Sequence, residues 1–100
     1  MKVLMINGSP HKNGNTAIAL REMEGIFRSE GIETETMHIG GSAVRGCIAC
    51  GSCAKNGRCV FDDAVNEAAS KFAVSDGLVV ASPVYYASAN GTLVSFLDRL

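Results

Sequence analysis

The sequence predicts an α/β fold, a doubly wound parallel sheet of which three strand–helix units are present. Three observations predict it. Strand-like and helix-like segments alternate along the chain, which implies parallel strands joined by right-handed crossovers. Gly77 to Ser82 reads Gly-Leu-Val-Val-Ala-Ser, with no polar alternation, as expected of a strand covered on both faces. A stretch rich in Gly, Ser and Asn, Asn7 to Thr16, joins the first strand to the first helix.

The first strand is Lys2 to Ile6, containing the short apolar run Val3 to Ile6. The helix after it, Thr16 to Glu30, carries Ala19, Met23, Ile26 and Phe27 at the spacing of one helical face. Asn15 or Thr16 suits its N-cap, and Gly31 suits a left-handed residue that ends it. Ile32 to Ile39 alternates Glu and Thr between apolar Ile32, Met37 and Ile39, so it reads as a second, more exposed strand nearer an edge. Gly40 to Cys59 has many small residues and no periodicity, and reads as a loop. Asp62 or Asp63 caps a second helix running to about Ala73, with Val65, Ala68, Ala69 and Phe72 on its buried side. The third strand follows at Gly77 to Ser82. Thr92 to Leu100 then places Leu93, Phe96, Leu97 and Leu100 on one helical stripe. The predicted order puts the first strand between the second and third, with helices on both faces.

Length and composition bound the rest. The 100 residues allow one small domain. Hydrophobic residues make up 47% and charged residues 19%, the balance of a chain that packs a core. The formal net charge is −1, and no basic run tracks a nucleic-acid backbone. No apolar stretch approaches the ~20 residues of a membrane helix, and the run after Lys2 is too short for a signal peptide. We therefore expect a cytoplasmic protein with neither nucleic-acid nor membrane partners. Three parallel strands leave the apolar third strand without a neighbour on one side. The expectation is that residues 1–100 are the N-terminal part of a larger, five-stranded domain. The alternative is a small protein that closes its sheet by dimerising.

Asn7 to Thr16 is placed as phosphate-binding loops of α/β proteins are. Backbone N–H groups and the positive end of a helix dipole converge on an anion there. Ser9, Asn13, Asn15 and Thr16 add hydroxyl and amide donors. The loop lacks the Lys-Ser/Thr ending of the P-loop and the three-glycine spacing of the dinucleotide fingerprint. A single phosphate monoester suits it better, although an ordinary polar strand–helix connection has the same composition. At the carboxyl end of the third strand, where open sheets bind ligands, stands Ser82-Pro83-Val84-Tyr85-Tyr86. Tyr85 and Tyr86 can offer ring faces and hydroxyls to an aromatic cofactor, and backbone groups of Val84 to Ala87 can bond its polar edge. The alternative puts one tyrosine in the core and the other on the surface.

All four cysteines fall between Cys47 and Cys59. Cys47, Cys50 and Cys53 are spaced by two residues, and Cys59 follows after Ala54 to Arg58. In a reducing compartment such clustering points to metal or redox chemistry rather than to disulfides. Thiolates at this spacing form the pattern of a [4Fe–4S] site, with Gly46, Gly51 and Gly57 letting the backbone curl around it. The last gap is longer than in bacterial ferredoxins, and no Pro follows Cys59. Four thiolates can also hold zinc, though structural zinc usually takes two separated pairs. Free or redox-active thiols are the third possibility.

Three motifs together resemble those of the NADPH-dependent FMN reductase superfamily of flavodoxin-like flavoproteins, and within it the iron–sulfur flavoprotein family. They are Gly8-Ser9-Pro10-His11-Lys12-Asn13-Gly14-Asn15-Thr16, the Cys47/Cys50/Cys53/Cys59 set, and Ser82-Pro83-Val84-Tyr85-Tyr86 with its sequel Phe96-Leu97-Asp98-Arg99. The resemblance spans the chain but about half of the family's usual domain. It implies FMN, with its phosphate on Ser9, His11, Asn13, Asn15 and Thr16 and its ring beside Pro83, Val84, Tyr85 and Tyr86. It implies a [4Fe–4S] cluster on the four cysteines. It also implies a homodimer or homotetramer, and either NAD(P)H or a redox partner protein exchanging electrons with a small-molecule acceptor. Relatives commonly have Arg where His11 stands and Lys where Val94 stands; Lys12 or backbone donors could serve in place of the former. The expected function is an electron-transfer flavoprotein or FMN-dependent oxidoreductase. The alternatives are an NAD(P)H-dependent FMN or quinone reductase without a cluster, and a zinc-stabilised binding module without redox chemistry.

Overall fold

The structure is a computed structural model that describes residues 1–100. Three strands form a parallel sheet: β1 (Lys2–Asn7), β2 (Glu33–His38) and β3 (Gly77–Ala81), in the order β2-β1-β3. Four helices connect and flank them: α1 (Asn15–Ser29), α2 (Ser52–Asn56), α3 (Ala64–Ala73) and α4 (Gly91–Arg99). Between β3 and α4 lies a small antiparallel hairpin, β4 (Val84–Tyr85) and β5 (Ser88–Ala89). This is the flavodoxin-like order of a central first strand flanked by the second and third. No helix is long and apolar enough to cross a membrane.

Alternating residues of β1 build a core on each face. Leu4 and Ile6 pack with Ile39, with Val65 and Ala68 of α3, and with Leu93 and Phe96 of α4. Val3 and Met5 pack with Leu20, and with the half-buried Phe27, Ile32 and Val79. The sheet is thus covered by α3 and α4 on one side and by α1 on the other, as the sequence predicts. Both β1 pairings are parallel, with Leu4 opposite Glu35 in β2 and Leu78 in β3. All three strands therefore point their carboxyl ends, and the loops that follow, to one edge.

Several local expectations are corrected. Ala17 and Leu20 of α1 are buried and Phe27 is half-buried against them; of the expected face only Phe27 packs inward, while Ala19 and Met23 are exposed and Ile26 is 64% exposed. Two apolar rows fit helical spacing in this segment, and periodicity does not say which one meets the sheet. Phe72 of α3 is exposed, while Val65 and Ala68 carry that helix's packing. The N-cap of α1 is Gly14, one residue before the expected positions, and it makes no side-chain cap bond. β3 is only half-buried along most of its length, because it pairs with β1 alone. The segment read as loop contains α2, a five-residue helix bracketed by left-handed Gly51 (φ 77°) and Gly57 (φ 74°), too short to show a period.

Other boundaries follow their signals. Gly31 (φ 75°) ends α1 in a left-handed turn, with its N–H donating to Arg28 O and the Ile32 N–H to Phe27 O. Asp63 caps α3 by accepting from Val65 N at 3.1 Å.

Candidate functional site

Three loops meet at the carboxyl edge of the sheet. The first, after β1, is anchored by its own side chains. Asn7, buried, accepts from the Ser9 N–H at 3.0 Å, and the buried Ser9 hydroxyl accepts from the His11 N–H at 3.1 Å. The helix that follows starts without a cap. The N–H groups of Asn15, Thr16 and Ala17 have no acceptor in the chain, and the first turn carries no acidic residue. By contrast, side chains cap both α3 and α4. Open donors at the positive end of a helix dipole are what a phosphate monoester takes up. His11, Asn13 and Asn15 are exposed around this point and Thr16 is half-buried.

The second loop is pressed against the first. His38, at the end of β2, donates through Nε2 to the Ser9 carbonyl at 2.7 Å. Gly40 lies so close that a Cβ there would sit 2.0 Å from Ser9 O and 2.5 Å from Gly8 O. Only glycine lets the two backbones meet.

The third loop is tied to the first by Asn90. This residue is buried and caps α4, its Oδ1 accepting from the Leu93 N–H at 3.2 Å. Its Nδ2 donates to Gly8 O at 2.6 Å, while its backbone N–H donates to Ser82 Oγ at 2.9 Å. Pro83 leads into the hairpin rather than forming its turn. Tyr86 (φ 48°) and Ala87 (φ 60°) make that turn, both in the left-handed region. Such two-residue turns normally take Asn-Gly, and an L-residue there carries ~1–2 kcal/mol of backbone strain. The turn puts Tyr86 at the tip of the hairpin, fully exposed, with Val84 and Tyr85 exposed beside it. Neither tyrosine packs in the core.

The cysteines come together. Cys47, Cys50, Cys53 and Cys59 all line one pocket, with Ile48, Val60 and Phe61 forming its apolar wall and Arg99 at its edge. Cys47, Cys50 and Cys53 are exposed and Cys59 is half-buried. No group of three of them is arranged to hold a single metal ion. Gly51 and Gly57 supply the expected left-handed turns, and Ala49 (φ 56°) does so in place of Gly46. The Ala49 N–H donates to Cys47 Sγ at 3.3 Å. The Ser52 hydroxyl, 3.5 Å from Cys50 Sγ, holds that thiol below its ordinary pKa.

Cys59 is the fixed member of the set. Its N–H donates to Asn66 Oδ1 at 3.0 Å, and its carbonyl accepts from Asn66 Nδ2 at 2.9 Å. Arg99 Nε donates to its sulfur at 3.4 Å and is the main cause of a lowered Cys59 pKa. Asn66, Asn90 and Arg99 were not singled out as site residues from sequence. A polar residue on the buried face of α3 and an Asn just before the α4 stripe are the signals that could have found the first two.

A profile of the NADPH-dependent FMN reductase family matches residues 1–100. The chain belongs to this family. An iron–sulfur flavoprotein of Methanocaldococcus jannaschii is 37% identical over 99 residues, which are 99% of this chain and 51% of that protein. An iron–sulfur flavoprotein of Methanosarcina thermophila is 35% identical over 99 residues, covering 99% and 52%. The chain thus spans about half the length of the curated relatives it matches. Among solved structures, an NADH:FMN oxidoreductase in its apo form superposes with a TM-score of 0.69 at 26% identity, over 99% of this chain and 49% of that one. An FMN-dependent NADH-azoreductase from Bacillus anthracis, in complex with FMN, gives a TM-score of 0.68 over 100% and 55%. At 13% identity that second likeness shows the fold alone.

Proposed function

We propose that residues 1–100 are the N-terminal part of a single FMN-binding domain in an iron–sulfur flavoprotein, an FMN-dependent oxidoreductase that transfers electrons. The observation that carries this is the gathering of four thiols around one pocket, in a chain whose α1 terminus stands uncapped after the central strand. Family membership and the named relatives support it.

The residues fit both groups. The N–H groups of Asn15, Thr16 and Ala17 and the Ser9 hydroxyl, whose hydrogen has no acceptor in the chain, would hold the FMN phosphate. His11, Asn13, Asn15 and Thr16 would add side-chain donors. Pro83, Val84, Tyr85 and Tyr86 would meet the flavin ring, for which the strained turn keeps both tyrosines clear of the core. Cys47, Cys50, Cys53 and Cys59 would ligate the cluster. Bound, FMN supplies two-electron chemistry and a [4Fe–4S] cluster one-electron chemistry. We place NAD(P)H or a redox protein as donor, with a small-molecule acceptor, in a cytoplasmic homodimer or homotetramer.

The exposure of three of the thiols favours one second reading, an NAD(P)H-dependent FMN or quinone reductase whose cysteines hold no cluster. Iron and sulfide analysis after anaerobic purification separates the two. The expected result is about four irons per chain, lost in Cys50→Ser while FMN stays bound. Zinc instead of iron, or no metal with full reductase activity, would establish the second reading.

A further inference from the structure

We propose that Arg99 is a positioning residue of the cysteine pocket: its guanidinium fixes Cys59 and donates the N–H···S hydrogen bond that raises the reduction potential of a cluster ligated there. This rests on the iron–sulfur reading above.

The geometry leaves Arg99 no freedom. Its side chain is 1% exposed. Nη1 donates to Asp63 Oδ2 at 2.9 Å and to Arg45 O at 3.0 Å. Nη2 donates to Asp63 Oδ1 and to Phe61 O, each at 2.9 Å. The fifth N–H, on Nε, points at Cys59 Sγ at 3.4 Å. All five donors of the fork are engaged, and the Phe61 ring lies 5.4 Å from the guanidinium carbon. Asp63 offsets the buried charge, so four bonds to oxygen fix the plane and the fifth is aimed by it. A guanidinium needed only to pair with Asp63 could leave Nε to solvent. Here it lies against one of the four thiols, forty residues away in sequence.

Hydrogen bonds to ligand sulfur are among the terms that set iron–sulfur potentials. Donation to a ligating thiolate favours the more negative, reduced cluster. Lys offers rotatable donors from a point charge and cannot reproduce the fork. Arg99→Lys therefore keeps the charge and loses the aimed bond.

The test uses the full-length protein, purified anaerobically as wild type and Arg99→Lys, with iron content, circular dichroism and an EPR-monitored redox titration. We expect Arg99→Lys to keep its fold and iron. At a given poise its ratio of reduced to oxidised cluster should fall about tenfold, which is ~59 mV for a one-electron couple. An iron-loaded variant with an unchanged potential would overturn the proposal while leaving the cluster reading intact. A wild type that holds no iron–sulfur cluster would overturn the cluster reading, and this proposal with it. Should the variant fail to fold or to load iron, the wild type labelled with ¹⁵N-arginine decides by pulsed EPR of the reduced cluster. A coupling from an arginine nitrogen is expected, and its absence refutes the assignment.

Discussion

Asn90→Ala should be among the most damaging single changes in this chain, although Asn90 belongs to no proposed ligand set. Two losses add, while the Ser82 hydroxyl, which also donates to Oδ1 at 3.1 Å, keeps the Pro83 carbonyl as acceptor at 2.7 Å. The cap on α4 goes, because Oδ1 no longer accepts from Leu93 N, at about 1 kcal/mol. The Gly8 carbonyl loses its 2.6 Å bond from Nδ2, and Gly8 is buried. A Cβ on Gly8 would stand only 2.9 Å from Leu93 Cβ, so there is little room for water to replace the lost donor. An orphaned buried carbonyl costs about 1–3 kcal/mol. The sum is about 2–4 kcal/mol. Urea unfolding of the full-length protein measures it as a shift in midpoint with the slope unchanged. Asn90→Ser separates the terms, since Ser caps a helix but is too short to reach Gly8; it should recover only the capping part. A loss for Asn90→Ala within about 0.5 kcal/mol of wild type, the range of ordinary surface changes, would refute the reasoning.

Thr16→Ala and Ser9→Ala should each weaken FMN binding by ~1.5–3 kcal/mol, roughly tenfold or more, by titration calorimetry; unchanged affinity in both would remove the phosphate from this loop. Gly40→Ala should destabilise by at least ~1–3 kcal/mol, because its Cβ would fall 2.3 Å from the Ser9 carbonyl carbon; normal melting would show that the loops do not pack as described. The Arg99 hydrogen bond holds the Asp63 carboxyl below its ordinary value. Its folded pKa is thus below the unfolded one of about 3.9, so its stabilisation is complete above that pH and lost as pH falls through the folded value. The stability gap between wild type and Asp63→Asn should hold from pH 7 to 5 and close below about pH 4; a gap constant down to pH 2 would contradict the pairing.

What the sequence discloses, and what it hides, follows from the range of the forces involved. Strand order was legible because β1 is apolar on both faces whereas β2 is mostly Glu and Thr, and burial then sets centre and edge. The α1 loop and the cysteine set were legible because their residues are neighbours in the chain. The row of α1 that meets the sheet was legible only at Phe27, since Ala17 and Leu20 obey the same period as Ala19, Met23 and Ile26. The hairpin was missed because a strand of two residues has no alternation to read. Asn90 and Arg99 escaped for a different reason. Asn90 reads as a cap and Arg99 stands in the Phe96-Leu97-Asp98-Arg99 motif, but their roles in the site do not show, since their partners lie 82 and 40 residues away and no local pattern encodes a bond of that separation.

Those two residues stand at opposite ends of one helix, and that placement bears on how the site is held together. Asn90 is the N-cap of α4 and grips the loop after β1; Arg99 is its last residue and grips the wall of the cysteine pocket. A helix of 9 residues is about 13 Å long and stiff, so it sets the separation between the two loops. Leu93 and Phe96 seat that helix in the core against Leu4 and Ile6 of β1, the strand from which the first loop leaves. The loop carrying the cysteines has little core of its own: among Gly40 to Cys59, only Val44 packs against the main cluster. Its position is therefore set from outside, by Asn66 on α3 and Arg99 on α4 holding Cys59, while Cys47, Cys50 and Cys53 stay exposed. Cys59 is thus the one thiol whose place is set by the helices, and the loop after β1 is held separately, by Asn90 at the other end of α4.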